Sequence, residues 1–532
     1  MGERERWGTR VGLILAMAGN AVGLGNFLRF PVQAAQNGGG AFMIPYFICF
    51  LLLGIPMMWV EWSIGRHGGR YGHSSTPGML QRIWDNPAAK YVGVIGLFLP
   101  LIVMTYYTYI ESWSLGYTFF TAFGSYWGAP EFEPMVNFLR SYHGYTGLDL
   151  TAPGVGDVGI SYFSSVAPAY AFFVITLLVN IWILSKGVSG GIEAIAKIAM
   201  PALLIFAVIL VIRVLTLGTP DGAFPDNNVS AGMGFVWNPV PEALSSSSVW
   251  LAAAGQVFFT LSLGMGSIHC YASYLRENDD VALTGLTTAA TNEFAEVVLG
   301  GTLAIPAAVA YFGLERTQEL AQSGFDLAFA VMPTLFQQIP GGQLFGSLWF
   351  ALLFFAGITS SLAMGQPIMA FLQEEFGLSR KRSAVVLGGI IFLLCQPVIL
   401  FNQQGFLGEF DFWAGTFGLV LFATIEIILF AWVFGMDNAW AALTDGADMR
   451  VPRGYRYIIQ YVTPAMLLII LGTWLFGTLP PVLANEPSAL YPNGPAPENI
   501  PFINAARLSM IGVYVGLCLA LTWALKSRKA TS

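Results

Sequence analysis

The chain has 532 residues, of which 55% are hydrophobic and only 10% are charged. Soluble domains carry roughly 25% charged residues, so this composition excludes a soluble globular protein and predicts a polytopic membrane protein. The formal net charge is −7, and no segment combines basic and aromatic residues as nucleic-acid-binding proteins do, so no nucleic-acid partner is expected. The four cysteines lie in or beside apolar runs, which favours small core residues over disulfides.

Twelve apolar segments are long enough to cross a bilayer, which takes about 20 residues per helix. They lie near 11–34, 41–64, 91–122, 166–184, 191–215, 243–270, 283–311, 342–372, 383–401, 411–435, 456–478 and 504–525. We therefore expect an all-α protein with twelve transmembrane helices and no separate soluble domain.

The basic residues indicate how these spans are oriented. With the N-terminus inside, 19 of the 24 lysines and arginines fall in segments on the cytoplasmic side. By the positive-inside rule, both termini are expected to be cytoplasmic. The expected location is the cell inner (plasma) membrane, as a multi-pass protein.

The first apolar segment is interrupted near its midpoint. Gly19, Gly23 and Gly25 fall within nine residues together with Asn20 and Asn26. This cluster lies about 15 Å along a helix from the start of the segment, roughly half of a ~30 Å hydrocarbon core. Irregular backbone at that depth is tolerated only beside protein or a water-filled cavity, and it marks ion and substrate sites in secondary transporters. The sequence therefore predicts a solute site at mid-membrane.

The sixth segment is interrupted in a similar way. Between Phe258 and Gly266 it contains Thr260, Ser262 and Gly264, and it enters from the opposite side of the membrane. Two interrupted helices of opposite direction, five spans apart, predict an inverted five-plus-five repeat with the site between its halves. For either segment alone, the alternative of a glycine-rich packing helix stays open.

Longer motifs around these segments resemble the neurotransmitter:sodium symporter family. They comprise Trp7–Pro31, Asn37-Gly-Gly-Gly-Ala-Phe42, Tyr106-Tyr107 before Glu111-Ser-Trp, Phe259-Thr-Leu-Ser-Leu-Gly264, Asn292-Glu293 with Glu296, Ala356-Gly-Ile-Thr-Ser-Ser361 and Asp411-Phe-Trp-Ala-Gly415. The resemblance runs from Arg4 to about Gly418 and is weaker in the outer loops and the last two spans.

The resemblance implies a fold and an activity. The fold has helices 1 and 6 unwound at the midplane. The activity is sodium-coupled symport of neutral, mainly hydrophobic amino acids by alternating access. Residues 1–435 are then the transport core, with spans 1–5 and 6–10 as its repeats, and 436–532 hold two additional spans and a cytoplasmic tail.

Two sodium sites are implied by the resemblance. The first takes the carbonyl of Ala21, the side chains of Asn26, Thr260 and Asn292, and the carboxylate of the substrate. The second takes the carbonyls of Gly19, Val22 and Ala356 and the hydroxyls of Thr359 and Ser360. Neutral oxygen ligands suit a hard monovalent cation, and unwound backbone supplies carbonyls that a regular helix would tie up. Without the resemblance, the two hydroxyls read as ordinary back-bonded helix groups.

The substrate site implied by the resemblance lies between the two interruptions. Its predicted residues are Asn20, Ala21, Leu24, Gly25, Val103, Tyr107, Phe259, Thr260, Ser262, Met265, Ser360 and Met364. A bacterial member of the family has Phe and Ile at the two methionine positions, and flexible methionines favour a pocket that adapts to several side chains. No charged residue is in this set, which disfavours charged substrates.

Gate residues follow from the same resemblance. Arg29 and Asp411 are expected to close the outer path, with Phe259 lying across the substrate. Arg4 and Glu374 are expected to close the inner path, supported by Trp7, Ser273 and Tyr274. For Arg29 and Asp411, a constitutive structural ion pair is the alternative.

Intramembrane carboxylates are rare and point to function by default. Glu296 is expected to supply the negative charge that chloride supplies in chloride-dependent relatives, so transport should be chloride-independent. It is also a candidate for carrying a proton on the return step. Glu61, Glu111 and Glu426 are expected in structural hydrogen-bond networks.

The same residues leave other functions open. An ion channel, or a transporter of a different small solute, is the main alternative. An enzyme is not expected, because no Gly-x-Ser-x-Gly or His-Glu-x-x-His motif occurs in the chain and its four histidines do not cluster in sequence. The expected partners are a small neutral amino acid and the lipid bilayer. A homodimer is a possible assembly.

Overall fold

The computed structural model describes residues 5–145, 162–321, 325–488, 490–491 and 493–531. Within these residues the protein is all-helical, with no β-strand. The predicted gate residue Arg4 lies outside the described residues.

Ten helices in the described part of the chain are long and apolar enough to cross a membrane. They are Gly40–Arg70, Ala88–Ala122, Ala167–Ser185, Val188–Leu215, Val281–Phe312, Gly342–Phe376, Arg380–Leu400, Phe406–Val433, Gly454–Leu483 and Pro497–Ser527. An eleventh span is formed if Arg10–Ala21 and Gly25–Gln36, which meet at an angle of 43°, are taken as one. These eleven correspond to eleven of the twelve predicted segments.

The remaining predicted segment, 243–270, consists of two shorter helices. Ser247–Thr260 and Ser267–Ser273 are separated by six non-helical residues. By length and composition the structure thus gives ten or eleven spans rather than twelve, because neither half of this segment is long enough alone.

Shorter helices lie between the spans. They are Thr76–Ile83, Phe132–Tyr142, Val229–Trp237, Leu314–Ala321, Met332–Gln338 and Met436–Thr444, with a 3₁₀ turn at Pro241–Ser245. Several long helices contain π-helical turns, including Gly25–Arg29 and Phe294–Gly300, which carry predicted site residues. Such turns are frequent at functional sites.

The two interrupted segments lie at the centre of the bundle. Arg10–Ala21 packs against Ala194–Leu215, Val281–Glu293 and Gly342–Phe376, and the last of these packs extensively on Ile95–Ala122. The peripheral helices instead expose large apolar side chains, such as Trp182, Ile198, Leu393 and Leu519. This arrangement suits a bundle whose outer face meets lipid and whose polar groups converge inside.

The C-terminal helix is fastened to the bundle by a buried carboxylate. Glu409, at the start of Phe406–Val433, accepts hydrogen bonds from Arg507 Nε at 2.8 Å, Tyr491 OH at 3.1 Å and Trp413 Nε1 at 2.8 Å. Glu409 is fully buried and the Arg507 side chain nearly so. Arg507 in the last span and Tyr491 in the loop before it therefore form a polar anchor with Glu409 of the tenth predicted span.

Candidate functional site

The interruption of the first span leaves backbone groups free, and side chains from other helices bind them. The helix ends at Ala21, and Val22 adopts an extended conformation with φ −76° and ψ 93°. The Leu24 amide donates to the Tyr107 hydroxyl at 2.9 Å, and the Gly23 amide donates to Asn26 Oδ1 at 2.8 Å. Amides that lack a helical partner where the helix is interrupted are thus hydrogen-bonded by polar side chains.

The carbonyls at the end of Arg10–Ala21 face two serines. The Ser360 hydroxyl donates to the Gly19 carbonyl at 3.1 Å, and the Ser262 hydroxyl donates to the Asn20 carbonyl at 2.9 Å. Close approach explains the glycine at position 19, because a Cβ there would lie 2.9 Å from Cβ of Thr359. Backbone oxygens and hydroxyls from two spans therefore converge at this point.

The interruption of the sixth segment is built from left-handed backbone. Ser262 has φ 56°, which is uncommon for a residue with a Cβ, and Gly264 and Gly266 have φ 69° and 80°. A Cβ on Gly264 would lie 2.2 Å from the Leu419 carbonyl oxygen, and one on Gly266 would lie 2.2 Å from that of Gly96. Glycine is required at both positions, by conformation and by space.

A polar cluster lies beside the first interruption, around the fully buried Glu296. Gln256 Nε2 donates to this carboxylate at 2.7 Å and Asn26 Nδ2 at 3.2 Å, and the Thr260 hydroxyl donates to it as well. Asn26 Nδ2 also donates to Asn292 Oδ1 at 2.8 Å. Four of the five residues that the sequence analysis assigned to the first sodium site or to Glu296's charge are joined here. Ala21, the fifth, ends the neighbouring helix.

The residues assigned to the second sodium site lie where Gly342–Phe376 meets the first span. The Thr359 hydroxyl donates to the carbonyls of Phe355 at 3.0 Å and Ala356 at 3.2 Å, the back-bonded geometry of an ordinary helix threonine. Ser360 differs, since its hydroxyl crosses to Gly19. Val22 is buried and its amide donates to the Ala18 carbonyl at 2.6 Å.

Eleven of the twelve predicted substrate residues line one cavity, together with Gly23. The twelfth, Leu24, lines a second cavity, called the outer cavity because the predicted outer gate residues line it, and this cavity shares Gly25, Tyr107 and Phe259 with the first, called the inner cavity. None of the described residues lining the inner cavity is charged. Met265 and Met364 are both in its wall, so the apolar part of the cavity is bounded by flexible side chains.

The outer cavity brings the predicted outer gate residues together. The Arg29 guanidinium lies 4.3 Å from the centre of the Phe259 ring, in cation–π geometry, and donates to the Thr416 hydroxyl at 3.1 Å. Asp411 accepts a hydrogen bond from Tyr106 at 2.8 Å. Among the described residues no ion pair joins Arg29 to Asp411, although both line this cavity.

Of the residues predicted for the inner gate, Trp7 packs against the helix Ser267–Ser273, and Glu374 binds the segment at Ser74 and Ser75. Trp7 Nε1 donates to the Tyr271 carbonyl at 3.1 Å. Ser273 donates to the Cys270 carbonyl at 2.6 Å, and Tyr274 accepts from Gln366 at 2.7 Å. Glu374 accepts hydrogen bonds from the Ser74 amide and, at 2.9 Å, from the Ser75 hydroxyl.

Several polar residues of this region were not predicted from the sequence. Glu193 accepts from the Gly8 amide and the Thr9 hydroxyl, both at 2.7 Å, and so fixes the start of the first span. Gln256 binds Glu296, and Arg380 pairs with Glu5 at 2.5 Å. The signal available was polarity itself, since Glu193 and Gln256 stand in apolar segments where such residues are rare.

Comparison with known proteins decides the family. A profile of the Sodium:neurotransmitter symporter family matches residues 4–129 and 158–520. The chain belongs to this family. An uncharacterized sodium-dependent transporter of Methanocaldococcus jannaschii is 30% identical over 477 residues, covering 88% of this chain and 90% of the relative. Sodium-dependent nutrient amino acid transporter 1 of Drosophila yakuba is 28% identical, covering 91% of this chain and 79% of that protein.

A solved structure agrees with this membership. The crystal structure of MhsT in complex with L-phenylalanine is similar with a TM-score of 0.74 and 29% identity, covering 88% of this chain and all of that one. The protein is therefore a multi-pass, sodium-dependent membrane transporter, in a family of transporters rather than enzymes.

Proposed function

We propose that this protein is a sodium-coupled symporter for neutral, mainly apolar amino acids that works by alternating access. The observation that supports this best is the uncharged cavity beside the two interruptions, whose wall combines backbone of the interrupted segments with Val103, Phe259 and two methionines. An amino acid matches such a cavity, because its zwitterionic head can bind the backbone groups and its side chain can contact the apolar residues. The relatives named as sodium-dependent transporters support the coupling ion.

The zwitterionic head would bind at the first interruption. Its carboxylate would meet the amides of Leu24 and Gly25 and the Tyr107 hydroxyl, because amides at the start of a helix favour an anion. Its ammonium group would meet the carbonyls of Ala21, Phe259 and Thr260 and the Ser262 hydroxyl. The side chain would then extend toward Met265 and Met364.

Two sodium ions would be carried with each substrate. The first would bind Ala21, Asn26, Thr260, Asn292 and the substrate carboxylate, and the second Gly19, Val22, Ala356, Thr359 and Ser360. The close packing of oxygens around Asn26 and around Gly19 supports these assignments. Because the substrate itself completes the first site, binding of ion and substrate would be mutually dependent.

The wider architecture is proposed on the same basis. The segments 247–260 and 267–273 would together form the sixth of twelve spans, related to the first by an inverted repeat, with both helices unwound at the midplane. Both termini would lie in the cytoplasm, and the protein would reside in the cell inner (plasma) membrane, with a homodimer as one possible assembly. Residues 1–435 would form the transport core and 436–532 an addition to it.

Reconstitution tests the activity directly. We expect proteoliposomes with an inward sodium gradient to accumulate labelled leucine, methionine, phenylalanine or tryptophan, and a potassium gradient to give no accumulation. Competition across the twenty amino acids then defines the preference. If aspartate or lysine competed best, the pocket assignment would be wrong, and sodium flux without solute accumulation would favour a channel.

Transport is further proposed to be chloride-independent, because the Glu296 carboxylate supplies a negative charge next to the first sodium site. Replacing it with a small hydroxyl, Glu296→Ser, should make uptake depend on external chloride. The measurement compares uptake in chloride and gluconate for both proteins. Uptake by the variant that is retained in gluconate would count against this role.

A further inference from the structure

A second buried polar cluster lies outside the site described above. His269, on the helix Ser267–Ser273, stands between Glu61 of the second predicted span and Glu426 of the tenth. Its Nδ1 lies 3.4 Å from Glu61 Oε2, and its Nε2 lies 3.2 Å from Glu426 Oε1. All three side chains are fully buried, and neither the substrate site nor the sodium sites uses any of them.

The polar atoms of this cluster face one another without ordinary hydrogen bonds. Both ring nitrogens, Glu61 Oε2 and both oxygens of Glu426 have no hydrogen-bond partner among the described residues. A neutral imidazole has a single N–H, so with both carboxylates ionised one ring nitrogen presents a lone pair to an anionic oxygen. One additional proton, on the imidazole or on a carboxyl group, would give each nitrogen–oxygen contact a hydrogen.

A bound metal ion fits this geometry less well than a proton. The three residues can place one ligand atom each within 4.8 Å of one another. The cluster therefore offers at most three protein ligands, and its two ring nitrogens face different carboxylates. Structural zinc sites supply four protein ligands.

The cluster is connected to the interruption of the sixth segment at both ends. Glu61 Oε1 accepts the Gly264 amide at 2.6 Å, inside the left-handed stretch, and His269 lies in the first turn of the helix that follows it. A carboxylate accepts this hydrogen bond more strongly than a neutral carboxyl group does. The proton content of the cluster therefore bears on how firmly the interruption is held.

We propose that Glu61, His269 and Glu426 form a proton-binding site that shares one exchangeable proton, and that its occupancy is coupled to the backbone at 261–266. This goes beyond the proposed symport, whose sites it does not use.

Other titratable groups do not enter the cluster. The helices packed against Ser267–Ser273 carry Arg10, Arg66, His67, Arg70, Glu374 and Glu375, and the helix itself carries Cys270 and Tyr271. Arg66 donates to the carbonyls of Asp279, Ala442 and Asp445, and His67 packs between Tyr71 and Phe434. The only ion-pair partners of His269 among the described residues are the two glutamates.

The first test reads the protons without using transport. Purified full-length protein, with ring-labelled histidine, is titrated by infrared difference spectroscopy in sodium-containing detergent buffer. In the wild type we expect a carboxyl band and an imidazole band that titrate together, because strongly interacting groups titrate as a unit. In Glu426→Gln and in His269→Gln these bands should be lost, or their midpoints displaced by about one pH unit or more. Independent titration, or bands unchanged in both variants, would overturn the proposal. Stoichiometric metal that is lost in Glu426→Gln would overturn it as well.

The second test measures the consequence for the sixth segment. The pH dependence of sodium-dependent uptake should shift to lower pH in Glu426→Gln, which removes a like charge, and to higher pH in His269→Leu, which removes the bridging group. His269→Gln should restore part of the wild-type profile, and His67→Gln is the matched control that should not move it. Superimposable profiles would contradict the coupling. If His269→Leu does not fold, Glu426→Gln and the spectroscopic titration test the proposal without it. Absent uptake by the wild type would contradict the proposed symport but not the proton site.

Discussion

The two interrupted segments stabilise their non-helical backbone in different ways. In the first, the chain leaves the helix at Val22 without left-handed backbone, and its freed groups are bound by Tyr107, Ser262 and Ser360 from other spans. In the second, the chain itself adopts left-handed conformations, and Gly264 is seated against a neighbouring carbonyl. The first interruption is thus held by exchangeable side-chain contacts and the second by backbone conformation.

This difference indicates a division of labour. Hydrogen bonds made by hydroxyl groups can be replaced by contacts with an ion or a substrate. A left-handed glycine cannot change its backbone conformation without moving its neighbours. Substitutions in the second interruption should therefore reduce folding and transport together. Substitutions around the first should reduce ligand affinity while the protein stays folded.

The largest effect is expected for Gly264→Ala. Left-handed backbone costs an alanine about 1–2 kcal/mol, and the overlap with the Leu419 carbonyl adds about 1–3 kcal/mol. We expect a marked fall in the apparent melting temperature and at least roughly tenfold less uptake. Gly255→Ala is the matched control, because a Cβ there meets open space in the same segment. Equal melting temperatures for the two variants would show that the left-handed stretch is not rigid.

A large effect on affinity, without loss of stability, is expected for Tyr107→Phe. The hydroxyl that accepts from the Leu24 amide would, in the proposed site, donate to the substrate carboxylate, and a hydrogen bond to a charged group is worth about 1.5–3 kcal/mol. The apparent substrate affinity should fall by about 10- to 100-fold. Tyr109→Phe, on the same helix, removes a hydroxyl that has no hydrogen-bond partner among the described residues and should leave affinity unchanged.

A smaller effect is expected for Ser360→Ala, which removes the bridge to the Gly19 carbonyl. The loss of one neutral oxygen ligand, at about 1 kcal/mol, should raise the sodium concentration for half-maximal uptake by roughly 3- to 10-fold. Ser347→Ala is the control, since that hydroxyl bonds only within its own helix, to the Gln343 carbonyl. An unchanged sodium dependence would remove Ser360 from the proposed second site.

The smallest effect is expected away from both interruptions, at Asp445→Asn. Arg70 donates to Asp445 at 2.8 Å and holds the pKa of this carboxyl below its usual value. Because the folded pKa is lowered, the pair stabilises the protein above the unfolded pKa of about 3.9, and this contribution is lost as the pH falls through the folded value. The exposed pair should contribute less than about 1 kcal/mol at neutral pH, measured by thermal unfolding. A loss comparable to that of Gly264→Ala would contradict the ranking.

Much of the bundle could be predicted from the sequence because burial in lipid demands long apolar runs. Eleven of the twelve predicted segments correspond to spans or to the bent pair at the first interruption. The residues of the inner cavity were predicted because motifs of many residues resemble a known family, whereas spacing alone left glycine-rich packing helices as an alternative.

Long-range partners could not be predicted from local pattern. Gln256 and Glu296, 40 residues apart, meet because two helices cross at that point. The same holds for Glu193 at the start of the first span, 185 residues from Gly8. The sequence around His269 did not predict a polar cluster, because its partners Glu61 and Glu426 lie on distant spans. The partners of Arg29 and Asp411 likewise follow from side-chain placement that sequence does not specify.

The anchor at Glu409 bears on how small such a transporter can be made. A chain cut after residue 435 would lose Arg507 and Tyr491 but keep the fully buried Glu409 beside Trp413. Removing one partner of a buried ion pair typically costs about 3–5 kcal/mol. In the proposed architecture the last span would therefore add to the stability of the transport core, and a version cut after residue 435 would first need an apolar residue at position 409.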